Sequence, residues 1–459
     1  MEETRVVIVG GGISGLASAY FLGKAGIRST MIEKAGRLGG LIGTDRIEGC
    51  VLEAGPDSYL GSKTAATELA RELGLRNDIA GSNDAERRVY IVRRGLLTPL
   101  PRGMVFMAPS EWRPALASPL FSTATKLRFL REVLARPHAR AEDISVRDFV
   151  AAHFGEEVVQ YLAEPLLAGV YGGAAEELSA ASVLPRFLAY ERKYGSLIRG
   201  VRRERKARGS GSLFLTFRHG MQQFSGALAG AVAPFSHTVY AEAQTVEKQE
   251  NGWRVQTPDT SFEAAELILA CAAHVSARLL RTAAPELARE LAAIPYSSAI
   301  LVTVVYPDTG IRHPLQGFGF LVPRAERKTI AAATWIHRKF PFRVPAGLAA
   351  LRAFIVDPEA GRLAANPREE LIRLVRADFK QILGIEAEPL FATVYSRPTS
   401  MPQYVVGHEA RRKRITRLVQ AEPGLSLSGN ALGGVGIPDC IHLAQQVADT
   451  IFIRKTSSS

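Results

Sequence analysis

The sequence predicts an α/β chain built from a discontinuous Rossmann-like, dinucleotide-binding domain, an antiparallel-sheet α+β domain and a mostly helical lobe. Three observations predict it. The chain opens on a β-branched run, a glycine turn and a helix. Short strands return mid-chain and again near the end, and between them lie one helix-rich stretch and one stretch of alternating strands. At 459 residues the chain exceeds what one hydrophobic core organises, so two or three domains are expected.

Taken in order, Arg5–Val9 reads as a strand, Gly10–Gly15 as a turn, Leu16–Ala25 as a helix and Ser29–Glu33 as a second strand, which is a βαβ opening. An amphipathic helix follows over Lys63–Leu75 and a strand over Arg88–Val92, while Pro99–Pro119 is proline-rich and irregular. From Thr123 to Arg203 apolar residues recur at helical spacing, as in Leu127–Leu134 and Val146–Phe154. Short strands reappear at His237–Val246, Trp253–Thr257, Ser261–Glu263 and Glu266–Ala270. Ile300–Val305, Gly317–Val322, Thr329–Trp335 and Ala350–Val356 alternate as sheet, with a helix over Pro367–Ile382. A strand Leu425–Ser428, a glycine-rich turn and a helix from about Asp439 close the chain. The expected division is therefore 1–75, 210–295 and 411–459 for the dinucleotide domain, 76–209 for the helical lobe and 296–410 for the α+β domain.

Composition excludes several function classes. Hydrophobic and charged fractions of 47% and 22% are those of a globular protein. Cys50, Cys271 and Cys440 form no CxxC pair, which argues against a disulfide framework or zinc site and points to a reducing compartment, the cytoplasm. The first residues lack the basic region and cleavage site of a signal peptide, and no apolar stretch reaches the ~20 residues of a membrane span. Nine histidines show no HxH or HExxH spacing, so no metal is expected. A net charge of +12 should attract anions, but no nucleic-acid-binding signature accompanies it. The densest basic run, Arg199–Arg208, reads first as a solvated loop and second as a surface for acidic lipid or an anionic partner.

The chemistry begins at VVIVGGGISGL, where Gly10, Gly12 and Gly15 form GxGxxG between a strand and a helix. Such a turn brings backbone amides and a helix N-terminus to a pyrophosphate. Glu33 ends the next strand, where a carboxylate accepts from both ribose hydroxyls and repels the extra phosphate of NADP. It opens Glu33-Lys34-Ala35-Gly36-Arg37-Leu38-Gly39-Gly40, an ExxxRxGG run that resembles the second fingerprint of the flavin amine-oxidase and desaturase superfamily. The resemblance implies FAD, with a buried Arg37 facing the pyrophosphate and the glycine pair passing the flavin edge.

Further blocks narrow the family. EAGPDSYL at 53–60 resembles a stretch of the bacterial porphyrinogen oxidases of haem biosynthesis, followed in family order by EPLLAGVYGG at 164–173, GFGFLVP at 317–323, SMPQY at 400–404 and SGNALGGVGIPDCI at 428–441. The resemblance covers essentially the whole chain. It implies that Gly55 and Pro56 join Gly10, Gly12, Gly15, Glu33, Arg37, Gly39 and Gly40 around FAD, and that Val246 holds the adenine side through its backbone. It also places Gly429, Val435, Gly436 and Ile437 at the flavin, with Trp335 either near the flavin or in the core. Gly169 would line the substrate cavity and Leu321 would supply an apolar wall.

Lys63, shared with Gram-positive-type members, is the candidate cation for a substrate propionate. Mitochondrial-type members instead carry an Arg just before the strand matching Tyr90-Ile91-Val92. This chain has Val89 there, and a one-residue slip would bring in Arg88. The implied activity is six-electron oxidation of a porphyrinogen, coproporphyrinogen III or protoporphyrinogen IX, with molecular oxygen as acceptor and hydrogen peroxide released. The helical lobe and the basic run Arg199–Arg208 suggest reversible peripheral association with an acidic membrane surface, or contact with an anionic partner such as the next haem-pathway enzyme. No side-chain general base is evident. An amine oxidase or carotenoid-type desaturase on the same fold is the rival enzyme, and a non-catalytic flavin-binding partner protein the rival of another class.

Overall fold

The computed structural model describes residues 6–205 and 211–457. It resolves into two compact units, one formed by 1–82, 212–295 and 410–459 and the other by 83–211 and 296–409.

In the first unit a five-stranded, all-parallel sheet has the order Ser236–Tyr240, Ser29–Glu33, Val6–Val9, Glu266–Leu269, Leu425–Leu427. Its inner strands Val6–Val9 and Glu266–Leu269 are near-continuous apolar runs, as strands covered on both faces are, and all four residues of Val6–Val9 are buried. Ile13–Lys24 packs against Met221–Val232 and against the long helix Ile437–Ser457. Leu16, Leu22, Phe224, Leu228, Ile441 and Ile451 meet in one core. The stretch expected as one strand over His237–Val246 is two: Ser236–Tyr240 joins the parallel sheet, and Thr245–Gln249 pairs with Gly252–Gln256 in a separate antiparallel sheet. The residues 241–244 between them turn the chain from one sheet to the other.

The second unit is organised by a seven-stranded sheet, in the order Phe391–Pro402, Tyr296–Pro307, Leu348–Val356, Ala332–Trp335, Gly319–Leu321, Val89–Arg93, Leu96–Pro99. All neighbours are antiparallel except Gly319–Leu321 and Val89–Arg93. Because Val89–Arg93 and Leu96–Pro99 belong to the stretch expected as a lobe, sheet and lobe form one compact unit. One sheet face carries Val302, Phe320, Trp335, Leu351 and Ile355 into a core completed by Phe379 of the helix Arg368–Leu383. Ile91 and Leu321 belong instead to the lobe core built on Phe129, Phe149, Phe154 and Leu162. The strand Phe391–Pro402 was not anticipated; it contains Pro398, which a sheet tolerates at an edge, and it is the edge strand here.

Of the basic run, Arg199 to Arg205 lies on the helix Leu197–Arg205, not in a loop, and 206–208 fall outside the described residues. Arg199 donates to the carbonyls of Ala135 and Tyr194, and Arg202 and Arg203 stack over Trp112 and Tyr194. Among the described residues no helix is long and apolar enough to cross a membrane.

Candidate functional site

The glycine turn of the first unit is shaped by two kinds of constraint. At Gly15 a Cβ would stand 1.9 Å from the Gly10 carbonyl oxygen, so the fold itself requires glycine there. At Gly12 a Cβ would meet nothing nearer than the Gly40 Cα at 3.8 Å, and φ −72° with ψ −176° suits any residue. Internal packing therefore does not demand glycine at 12; a ligand lying against its backbone would. Gly12 begins a 12-residue helix and no side chain caps that N-terminus, which leaves its amides available to an anion.

The second fingerprint closes over the first. Gly12 and Gly39 form an isolated parallel bridge, with the Gly39 amide donating to the Gly11 carbonyl at 2.8 Å. The Glu33 carboxylate accepts from the Gly11 amide at 2.5 Å and from the Ala35 amide at 2.7 Å, so it ties strand end, glycine turn and following loop together. Arg37 follows in the same loop. It is exposed, and its guanidinium donates to the carbonyls of Ile42 at 2.8 Å and Gly40 at 2.7 Å. The left-handed residues Gly39 (φ +106°) and Gly40 (φ +58°) curl the chain around the arginine, which holds the loop from outside. Gly55 lies against the same loop, its would-be Cβ 2.0 Å from the Leu41 carbonyl oxygen, and Pro56 comes next, half-buried.

The C-terminal block enters this unit where the strand Leu425–Leu427 passes through Gly429 into the helix Ile437–Ser457. Val435 and Gly436 are half-buried just before that helix and Ile437 is buried at its start. Asp439, in the first helical turn, accepts from the Gly436 amide at 3.2 Å. Lys63 is found here, its ammonium 2.6 and 2.7 Å from the two Asp439 oxygens. Its charge is thus met by a carboxylate 376 residues away, in the first turn of the helix that follows the C-terminal glycine turn. Cys440, buried beside Asp439, has its thiol pushed up to about 11, chiefly by burial, so it stays protonated and inert. Val246 is buried in its antiparallel sheet, paired with Val255.

The remaining residues lie in the second unit. Trp335 is fully enclosed by protein in the sheet core, with Tyr90 and His313 rings 5.7 and 5.8 Å away, so it fills core and offers no surface to a cofactor. Gly169 is exposed on the helix Glu164–Tyr171, which packs against the strand Gly319–Leu321 that carries half-buried Leu321. Strand register sets which face Arg88 takes. Val89 pairs with Gly319 and Ile91 with Leu321, and Ile91 and Leu321 share the lobe face, whereas Tyr90 packs on the opposite face with Phe320. Arg88, two residues before Tyr90, donates to Gln316 Oε1 at 3.2 Å and lines, with Gln316 and Arg338, a cavity of about 430 Å³. Among the described residues no group of three or more His, Cys, Asp or Glu could hold a metal ion.

What sequence reasoning missed is the set of long-range partners, Asp439 for Lys63 and Gln403 for the end of the Gly169 helix. Gln403 Nε2 donates to the Tyr171 carbonyl at 2.5 Å and Ser297 Oγ donates to it at 3.1 Å. The only available signal was that Tyr171 and Gln403 each sit inside a recognisable motif block.

Comparison with known proteins agrees with this geometry. The family described as flavin containing amine oxidoreductase matches over residues 13–452. A curated protein of Staphylococcus aureus named coproporphyrinogen III oxidase is 32% identical, over 97% of this chain and 98% of its own. The mitochondrial protoporphyrinogen oxidase of Nicotiana tabacum is 26% identical, over 97% of this chain and 94% of its own. A crystal structure from Exiguobacterium sp. 255-15, provisionally named a protoporphyrinogen oxidase, superposes with a TM-score of 0.87 at 30% identity, covering 99% of this chain and 100% of that one.

Proposed function

The chain belongs to the flavin-containing amine oxidoreductase family, within its porphyrinogen oxidases, and on that premise we propose that it oxidises coproporphyrinogen III to the porphyrin with FAD, oxygen being the acceptor and hydrogen peroxide the second product. The observation that carries this reading is end-to-end likeness to a coproporphyrinogen III oxidase at 32%, against 26% to the Nicotiana tabacum mitochondrial protoporphyrinogen oxidase and 29% to the protoporphyrinogen oxidase of Bos taurus. Protoporphyrinogen IX, with the same macrocycle and fewer propionates, is the slower substrate.

The residues fit FAD: Gly12 leaves room that no protein atom fills, the first helix is uncapped, and Glu33 stands at the strand end where a ribose is recognised. When bound, the flavin supplies a two-electron acceptor that oxygen can regenerate. The amides of Gly12 and of the first helical turn up to Gly15 would hold the pyrophosphate, the Gly10 amide already donating to the Ile32 carbonyl at 2.8 Å, and Glu33 would accept from the ribose while keeping its bonds to Gly11 and Ala35. Arg37 keeps the Gly39–Gly40 loop closed over the cofactor. Gly429, Val435, Gly436 and Ile437 present backbone to the ring end, braced by Asp439 and Lys63. Gly55 and Pro56 support the loop, and the Val246 backbone meets the adenine side. Gly169 and Leu321 offer apolar surface to the macrocycle. Orientation rather than a side-chain base does the work, and pyrrole protons pass to water.

The test is aerobic turnover of each porphyrinogen by purified protein, reading porphyrin fluorescence and peroxide together. Coproporphyrinogen III should give both signals with the higher kcat/KM. Porphyrin formation no faster than without protein would overturn the reading.

A further inference from the structure

The helix Glu164–Tyr171 is the end of a helical run that starts at Glu156 and is wound as a π-turn over Val159–Ala163. A π-turn admits an extra residue and so rotates the helix after it against the helix before it, and such turns concentrate at functional sites. On the N-terminal side and within the turn, Val158, Val159 and Leu162 point into the lobe core. On the C-terminal side, Ala168 is buried against Ala331 and Val356, two small contacts that let the helix lie close to the sheet. The other side of the helix stays apolar: Leu166 is half-buried against the lobe core, while Val170 is 56% exposed and a Cβ at Gly169 would meet nothing within 4 Å. A flat apolar face of this kind suits a planar ring ligand.

This face is held at both ends. At the C-terminal end, Gln403 and Ser297 donate to the Tyr171 carbonyl, which no intrahelical amide can satisfy. At the N-terminal end, Glu164 accepts from the Arg324 amide at 2.9 Å with one oxygen and from Arg327 Nη2 at 2.8 Å with the other. The side chains of Glu164 and Arg327 are 11% and 4% exposed. Both arginines sit in the connection 322–331 between the strands Gly319–Leu321 and Ala332–Trp335, immediately beyond Leu321. Burial raises the Glu164 carboxyl pKa even though Arg327 and the Arg324 amide oppose the shift. Buried ion pairs contribute little net stability but lose much when one partner is removed, so what they supply is fixed geometry.

We propose that Glu164 and Arg327 are a positioning pair for the porphyrinogen wall: they set the spacing between the open face of the helix Glu164–Tyr171 and Leu321, and so determine how tightly the macrocycle seats. The inference rests on the porphyrinogen reading above. Neither residue touches the reacting atoms.

The experiment measures coproporphyrinogen III kinetics, flavin content and thermal unfolding for wild type, Glu164→Gln, Arg327→Met and the double variant Glu164→Leu/Arg327→Met. Loosening a wall should raise KM roughly tenfold in each single variant with kcat changed by no more than about twofold. Flavin content should stay at the wild-type level, because the glycine cradle is built in the other compact unit. The double variant replaces the pair by apolar side chains and should recover the unfolding temperature while keeping the raised KM. Unchanged KM in the single variants, or KM restored along with stability in the double variant, would overturn the positioning role. A wild type inactive on both porphyrinogens would instead overturn the functional reading itself.

Discussion

Gly12→Ala separates what the fold needs from what a ligand needs. The new methyl would lie 3.8 Å from the Gly40 Cα, an ordinary contact, on a backbone of extended conformation that alanine accepts. Replacing glycine at a compatible site stabilises by about 0.4–1 kcal/mol through the unfolded chain, and alanine is a poorer N-cap by a similar amount, so the two effects offset. The apoprotein should therefore melt within a degree or two of wild type. Toward the dinucleotide the methyl is an intruder. Overpacking costs roughly 1–3 kcal/mol and loss of one amide bond to a charged phosphate roughly 1.5–3 kcal/mol. Together these weaken flavin binding by roughly 2.5–6 kcal/mol, or about two to four powers of ten in Kd. Gly15→Ala is the contrast, since its Cβ would stand 1.9 Å from the Gly10 carbonyl oxygen and the turn could not close. Flavin titration and apoprotein melting on both variants give the answer. The argument fails if Gly12→Ala retains flavin at wild-type affinity, or if its apoprotein is destabilised as much as that of Gly15→Ala.

Glu33→Ala should differ from Gly12→Ala in harming the apoprotein too, because the amides of Gly11 and Ala35 lose their acceptor; a cost of about 1–3 kcal/mol should appear in denaturant melts alongside weaker flavin binding. Lys63→Ala removes a pair whose side chains are 47% and 18% exposed, so it should cost no more than about 1 kcal/mol in stability. Since the Lys63 charge is already met by Asp439, the kcat/KM ratio between coproporphyrinogen III and protoporphyrinogen IX should also stay within about twofold of wild type, and a selective loss for the tetracarboxylate would return Lys63 to the substrate. Burial lowers the His337 pKa from 6.5 to about 4. With the folded value depressed, the unfolded chain binds the proton first, so stability is full above pH 6.5, falls as pH drops toward 4 and loses nothing further from this group below that. The loss is at most on the order of 3 kcal/mol, less for the part of the ring that water reaches. His337→Gln should flatten the stability profile across that window, which melts at several pH values will reveal.

The parts of the molecule legible in the sequence are those whose cause is local. The glycine turn, the strand Val6–Val9 and the carboxylate at Glu33 are dictated by residues within one βαβ unit, and the fold class by where such patterns recur. The edge strand Phe391–Pro402 was hidden because edge strands carry proline and polar residues, the features by which a strand is ordinarily excluded. Trp335 could not be placed, since an aromatic residue at the end of a strand has the same local appearance whether it faces a ligand or another ring. The exposed setting of Arg37 depends on carbonyls that point to it only after Gly39 and Gly40 have turned. Lys63 read as a free cation for want of any local sign of Asp439.

The motif blocks themselves carry a different lesson. The block 164–173 contains Glu164 and Tyr171, the block 400–404 contains Gln403, and the block 317–323 runs into Arg324 and Arg327. In the folded chain these are the two ends of one joint: Gln403 holds the last carbonyl of the helix and the connection after Leu321 holds its first turn. The blocks stand out by family resemblance, yet Glu164 and Gln403 within them, and Arg324 and Arg327 just beyond one of them, are spent on fixing the helix Glu164–Tyr171. On the proposed reading, a wall of Leu166, Gly169 and Val170 has no polar group with which to orient itself, so its orientation would be imposed from the helix ends. That is why the polar residues of three separated blocks converge on this one helix, and why changes at those residues should register in KM before they register in the flavin.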